Sequence, residues 1–147
     1  PLRDWCFYAI TGEGAYLNGA RLGVSLRTSL DQALLATGFP YDRWTRADNN
    51  SDMFCHFLRR CQGIRRAGAA ALDLAFVAAG WLDAYWEKSL SSWDIAAGIL
   101  LVAEAGDCVT NYSHVGATVH SKDLVATNGH LHDEVIYNLK SIAETHQ

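Results

Sequence analysis

The sequence predicts a layered α/β domain in which a mixed sheet carries helices on its flanks. Two observations carry that prediction: from about Leu30 strand-like and helix-like segments alternate, and the helices between strands are apolar enough to be buried. A third is the aromatic, β-forming opening of the chain, which reads as the end of an antiparallel region over residues 1–30, ahead of an α/β domain over residues 31–147.

The elements follow in order. Asp4 to Ile10 (DWCFYAI) reads as a strand, Thr11-Gly12-Glu13-Gly14 as a hairpin turn, and Ala15 to Leu17 and Leu22 to Leu26 as short strands. Gly12 and Gly14 complete neither a GxGxxG nor a Walker pattern, so the turn is the better account of them. Ala33 to Gly38 is a buried strand stopped by Pro40. Met53, Phe54, Phe57, Leu58 and Cys61 recur at helical spacing behind Asn49, Asn50 and Ser51, which predicts a capped helix over 51–61. Gly63 to Arg66 is a short strand.

Ala69 to Ala79 is a helix with Leu72, Ala75, Phe76 and Ala79 on its apolar stripe and Gly80 just past its end. Trp81 to Glu87 alternates as a strand does, with Leu82, Ala84 and Trp86 on one face and Asp83, Tyr85 and Glu87 on the other. The next helix starts at Trp93-Asp94 and is apolar nearly all round to Ala105, which marks it as buried; Gly106 closes it. Cys108 to Tyr112 and Leu124 to Thr127 are strands, and His132 to Ala143 is the closing helix.

The bulk properties exclude several classes. In 147 residues half are hydrophobic and 19% charged, with five Trp and six Tyr, which suits a packed domain and not a disordered chain. A formal charge of -4 argues against a general nucleic-acid or anionic-membrane surface, which leaves a small molecule as the expected partner. Cys6, Cys55, Cys61 and Cys108 form no CxxC pair, so free thiols and a cytoplasmic setting are expected. No apolar run reaches bilayer length. The first residue is Pro1, close to a strand, so a natural N-terminus upstream is expected.

Chemistry is expected where strands run into helices, because ligands of open α/β sheets bind outside the carboxyl ends of strands, beside free helix N–H groups. At Arg65 to Ala70 a strand enters a helix through Gly and Ala only, so a ligand can approach the backbone of Gly68, Ala69 and Ala70. At Glu87 and Asp94 a carboxylate at a strand end and another at a helix start can share one rim. The ordinary role of an Asp at a helix start is to cap free N–H groups, and that of Glu87 is to be solvated; the arginines Arg59, Arg60, Arg65 and Arg66 are ordinarily surface groups. The six histidines, His130 and His132 among them, have no spacing of a zinc site.

The local sequence goes further. Trp93-Asp94-Ile95-Ala96-Ala97-Gly98, continuing to Glu104-Ala105-Gly106, resembles a signature of the inositol monophosphatase family of magnesium-dependent phosphatases. Gly68-Ala69-Ala70-Ala71-Leu72-Asp73-Leu74, Val77-Ala78-Ala79-Gly80, Leu82-Asp83-Ala84-Tyr85-Trp86-Glu87, Gly12 to Gly19, Gly38-Phe39-Pro40-Tyr41 and Ala126-Thr127-Asn128-Gly129 fall in that family's order. The resemblance implies the C-terminal half of an αβαβα sugar-phosphatase fold. It implies that Asp94 is catalytic as a carboxylate ligand of Mg²⁺, that Glu87 binds polyol hydroxyls, and that Gly68, Ala69 and Ala70 line the substrate pocket. The implied reaction is hydrolysis of a phosphate monoester, inositol monophosphate first, by a metal-activated water, in a homodimer.

Two departures and one absence qualify it. Asp107 stands where the family expects a small residue, and Ala69 where it has Ser or Thr. The family's Asp-Pro-(Ile/Leu)-Asp-Gly-Thr loop, which supplies other metal ligands, does not occur in these residues, so the fragment alone is expected to be inactive. Fructose 1,6-bisphosphate, histidinol phosphate and phosphonucleosides are the alternative substrates. A catalytically silent binding or assembly module, using Trp5, Trp44 and Trp81 as its surface, is the alternative of another class.

Overall fold

The computed structural model describes residues 3–145; Pro1 and the outermost ends of the two expected regions lie outside the described residues. The chain runs β1 (Phe7–Ile10), β2 (Gly14–Leu17), β3 (Ala20–Arg21), a single 3-10 turn at Leu30–Gln32, β4 (Leu34–Thr37), α1 (Ser51–Leu58), β5 (Gly63–Arg65), α2 (Ala70–Ala78), β6 (Ala84–Lys88), α3 (Ser92–Glu104), β7 (Cys108–Thr110), β8 (Asp123–Thr127) and α4 (His132–Thr145). Strands β1, β2 and β3 form an antiparallel sheet; the other five form a mixed sheet in the order β5-β4-β6-β8-β7. In that sheet β4 is parallel to β5 and β6, while β8 is antiparallel to β6 and β7.

Alternation along the central strands builds two cores. Ala36, Tyr85, Leu124 and Ala126 face α2 and α3, where they meet Leu74, Val77, Ile95 and Val102. Leu35, Ala84, Trp86 and Val125 face α1 and α4, where they meet Phe57, Leu131, Val135 and Leu139. Both faces of β6 are therefore buried, as in a strand covered by helices on either side. The small sheet packs on the outer side of α3, with Phe7, Ala9 and Ala15 joining the first core. Helices α2 and α3 approach closely because Gly98 has no side chain: a Cβ there would overlap Leu74.

Several expectations need correction. Residues 22–26 are not a strand; their polar groups go elsewhere, with Ser25 Oγ on Asp83, Arg27 Nε 3.3 Å from Asp83, and Asn128 donating to Ser25 Oγ and to the Arg27 carbonyl, both at 2.8 Å. Helix α1 stops at Leu58, short of Cys61, and the strand after α2 begins at Ala84 instead of Trp81. The buried stripe of α2 is Asp73, Leu74, Ala75, Val77 and Ala78, and Leu72 is 44% exposed. That helix is apolar on every side, so periodicity alone did not single out the buried face. Asn50 precedes α1 but does not cap it; Asn49 Oδ1 accepts from the Ser51 N–H at 3.0 Å instead.

Candidate functional site

Strands β4, β5 and β6 run the same way, so their carboxyl ends lie on one rim and lead into Gly38, Arg66 and Glu87 respectively. Asp94 reaches the same rim from the first turn of α3, which begins at Ser92, one residue before the expected start. Asp94 Oδ2 accepts the Ser91 N–H at 3.1 Å, so the carboxylate caps its own helix, and its Oδ1 accepts no hydrogen bond among the described residues.

Glu87 is the centre of the cluster. Its Oε2 accepts a short hydrogen bond from the Tyr85 hydroxyl, and its carboxyl lies over Gly38, where an added Cβ would overlap it. Tyr85 and Glu87 are two residues apart on one strand and so point to the same face. Burial raises the Glu87 pKa; the Tyr85 hydrogen bond opposes that, the Asp94 charge adds to it, and Arg66 opposes it. Glu87 and Asp94 are thus close enough to feel one another, as their shared rim predicts.

Asp73 belongs to the same group, from the buried face of α2. It is 2% exposed, its Oδ1 has no hydrogen-bond partner among the described residues, and burial, reinforced by the Glu87 charge, pushes its pKa up to about 7. Its signal in the sequence is a lone acid in the apolar run Ala69 to Ala79. Tyr85 and Gly38 carried no comparable signal, since an aromatic in a strand and a Gly before Pro40 have ordinary explanations.

Gly68, Ala69 and Ala70 lie at the start of α2, beyond the end of β5. Gly68 has φ +84° and open space where a Cβ would stand, a backbone that favours glycine and leaves room beside it. Ala69 occupies the N-cap of α2 without a capping side chain, and the Leu72 N–H turns instead to the Ala69 carbonyl at 2.9 Å. Among the described residues no hydrogen bond links Gly68, Ala69 or Ala70 to either carboxylate.

The remaining candidates fall apart. Arg66 lies over the Phe39 ring at 5.3 Å and, with Arg43 and Trp44, lines a hollow of about 300 Å³ beside the rim. A hollow of about 490 Å³ lined by Asp48, Asp52, Lys88 and Ile142 includes none of the predicted site residues. Trp5 and Trp81 pack together with centroids 5.1 Å apart, whereas Trp44 lies under Arg43 at 3.8 Å. His132 is buried between Thr110 and Thr127, bonded to each through one ring nitrogen at 3.0 and 3.1 Å. Glu104 ties α3 to the first hairpin by accepting the N–H groups of Gly12 and Gly14 at 2.8 and 3.0 Å. Asp107, the departure after Gly106, turns its carboxylate back onto the Cys108 N–H.

A metal finds a suitable donor here but too few of them. The free Asp94 oxygen is the hard ligand Mg²⁺ prefers, yet among the described residues no group of three His, Cys, Asp or Glu residues can hold an ion.

The sequence matches the inositol monophosphatase family over residues 1–144. It is 46% identical over 135 residues to an inositol-1-monophosphatase of Synechocystis, covering 92% of this chain and 47% of that protein. It is 50% identical over 130 residues to the Nus factor SuhB of Pseudomonas aeruginosa, covering 87% of this chain and 48% of that one. The structure superposes on the inositol monophosphatase of Anabaena with a TM-score of 0.93 at 43% identity, covering 96% of this chain and 56% of that one. The chain spans about half the length of the curated relatives it matches. Sequence, topology and rim agree: the chain belongs to the inositol monophosphatase family.

Proposed function

We propose that the protein containing this chain hydrolyses a phosphate monoester of a polyol, inositol monophosphate first, with Mg²⁺ as cofactor. The observation that carries this reading is the pairing of Glu87 and Asp94 on one rim, each with one carboxylate oxygen that accepts no hydrogen bond among the described residues. Asp94 Oδ1 would be this chain's ligand to the metal, oriented by the Ser91 N–H that holds the other oxygen, and further ligands would come from the part of the relatives not matched here. When bound, Mg²⁺ supplies Lewis-acid stabilisation of the phosphate oxygens and a water activated for attack. Glu87 Oε1 accepts a polyol hydroxyl, and the start of α2, which has no side-chain cap, would offer backbone N–H groups to the ligand.

The test is phosphate release from inositol monophosphate by the full-length protein, with and without Mg²⁺. Asp94→Asn lowers kcat by about 100-fold or more, since even the hydrogen-bond partners of a metal ligand are worth about 10- to 100-fold. Undiminished turnover in that variant removes Asp94 from the mechanism. Comparing kcat/KM for fructose 1,6-bisphosphate, histidinol phosphate and a phosphonucleoside ranks the substrate alternatives.

A cytoplasmic homodimer is part of this proposal, supported by the free cysteines and by the half-exposed aromatic cluster of Trp5 and Trp81. The same cluster, together with a relative that bears the name Nus factor, favours a second reading in which the protein also serves in an assembly.

A further inference from the structure

Glu87 sits in a mould. From below, the Tyr85 hydroxyl engages Oε2, and on one side the bare Cα of Gly38 leaves the space in which the carboxyl lies. Gly38 has no positive φ, so its missing side chain, and not backbone freedom, is what the position requires. Tyr85 is itself fully buried against α2 and α3, which fixes its ring and hence the direction of its hydroxyl. Burial first, and then the charge and hydrogen bond of Glu87, discourage ionisation of Tyr85 and keep its hydroxyl a donor, with the buried Asp73 carboxyl adding to the effect.

We propose that Tyr85 and Gly38 are positioning residues of a polyol subsite: together they hold the Glu87 carboxyl in one orientation and leave Oε1 as its single acceptor for a substrate hydroxyl. This rests on the reading of Glu87 given above and narrows it. One fixed acceptor selects esters with a hydroxyl at a set distance from the phosphate and gives no advantage to esters without one. A free carboxylate, able to rotate and to use both oxygens, would accept a wider range of hydroxyl positions.

The test compares two substrates in the full-length protein with Mg²⁺: inositol monophosphate and phenyl phosphate, which has no hydroxyl for Glu87 to bind. Three variants are read against wild type: Glu87→Gln, Tyr85→Phe and Gly38→Ala. For Tyr85→Phe and Gly38→Ala the loss of kcat/KM on inositol monophosphate exceeds the loss on phenyl phosphate by about 10-fold, the scale of one misplaced hydrogen bond, and the excess falls in KM. Tyr85→Phe removes only an oxygen and Gly38→Ala adds a methyl group, so the two variants reach the same carboxyl by unrelated perturbations. Equal losses on both substrates in these two variants would mean general structural damage and overturn the inference. If Glu87→Gln shifts the ratio while Tyr85→Phe and Gly38→Ala do not, the positioning role fails and the Glu87 reading stands. If Glu87→Gln leaves the ratio unchanged, the Glu87 reading and this inference fall together.

Discussion

Two polar clusters on opposite faces of the five-stranded sheet are built in opposite ways. Toward α1 and α4, Asn50 donates to Thr37 Oγ1 at 2.8 Å and to the Gly38 carbonyl at 2.6 Å, and accepts the Trp86 indole N–H at 2.9 Å. His132 on the same side is bonded at both ring nitrogens. Toward α2 and α3, Asp73, Glu87 and Asp94 each have one oxygen without a hydrogen bond among the described residues. A closed polar network stabilises one packing, whereas unpaired carboxyls at a strand rim cost stability and are retained where they meet a ligand. The difference teaches where to look: the closed Asn50 network holds the fold, and the open carboxyl cluster at the rim holds the chemistry.

The sharpest way to break that division is Asn50→Ala. It strands the Trp86 N–H and the Gly38 carbonyl inside the protein, and urea unfolding should show a loss of about 3 kcal/mol. A cost below about 1 kcal/mol would mean that the network on this face is dispensable. Asp73→Asn should act in the other direction, with a gain on the order of 2 kcal/mol at pH 8. The folded carboxyl titrates at about 7 against 3.8 for its ordinary value, so the folded state binds the proton more tightly. The stability this lends is complete below about pH 4 and is lost as pH rises to about 7. Thermal unfolding of the full-length protein from pH 4 to 8 should therefore show wild type falling behind the variant across that window and the gap levelling off above it. A gap that does not change with pH removes Asp73 from the buried acids. The smallest effect is expected from Ala69→Ser, which restores an N-cap to α2 for a gain of about 1 kcal/mol. Crystallography of the variant would show whether the new hydroxyl caps the helix or instead points into the rim.

Much of this was legible in order and spacing. The alternation after Leu30 and the long apolar helix ahead of Gly106 survive into the structure, because each depends on local pattern. The stretch from Leu22 to Leu26 misled, because its partners Asp83 and Asn128 are more than fifty residues away. The face of α2 misled as well, since a helix apolar all round takes its orientation from its neighbours. Tyr85 and Gly38 were not readable as site residues, because nothing in their own segments distinguishes a carboxyl's support from an ordinary core; Asp73 left only the trace of a lone acid in an apolar helix.

By itself the sequence determined the α/β class, the positions of the strands and helices to within a few residues, and a rim at which Glu87 and Asp94 would meet. Those follow from short-range rules of periodicity, capping and chain direction. Only the tertiary structure decided that Glu87 rests on Gly38 and bonds Tyr85, that Asp73 lies unpaired behind them, and that Asn50 closes the opposite face. Apart from the Tyr85–Glu87 bond within one strand, each of those pairings joins residues whose proximity is set by parallel strand pairing and helix packing, which no local stretch of sequence records.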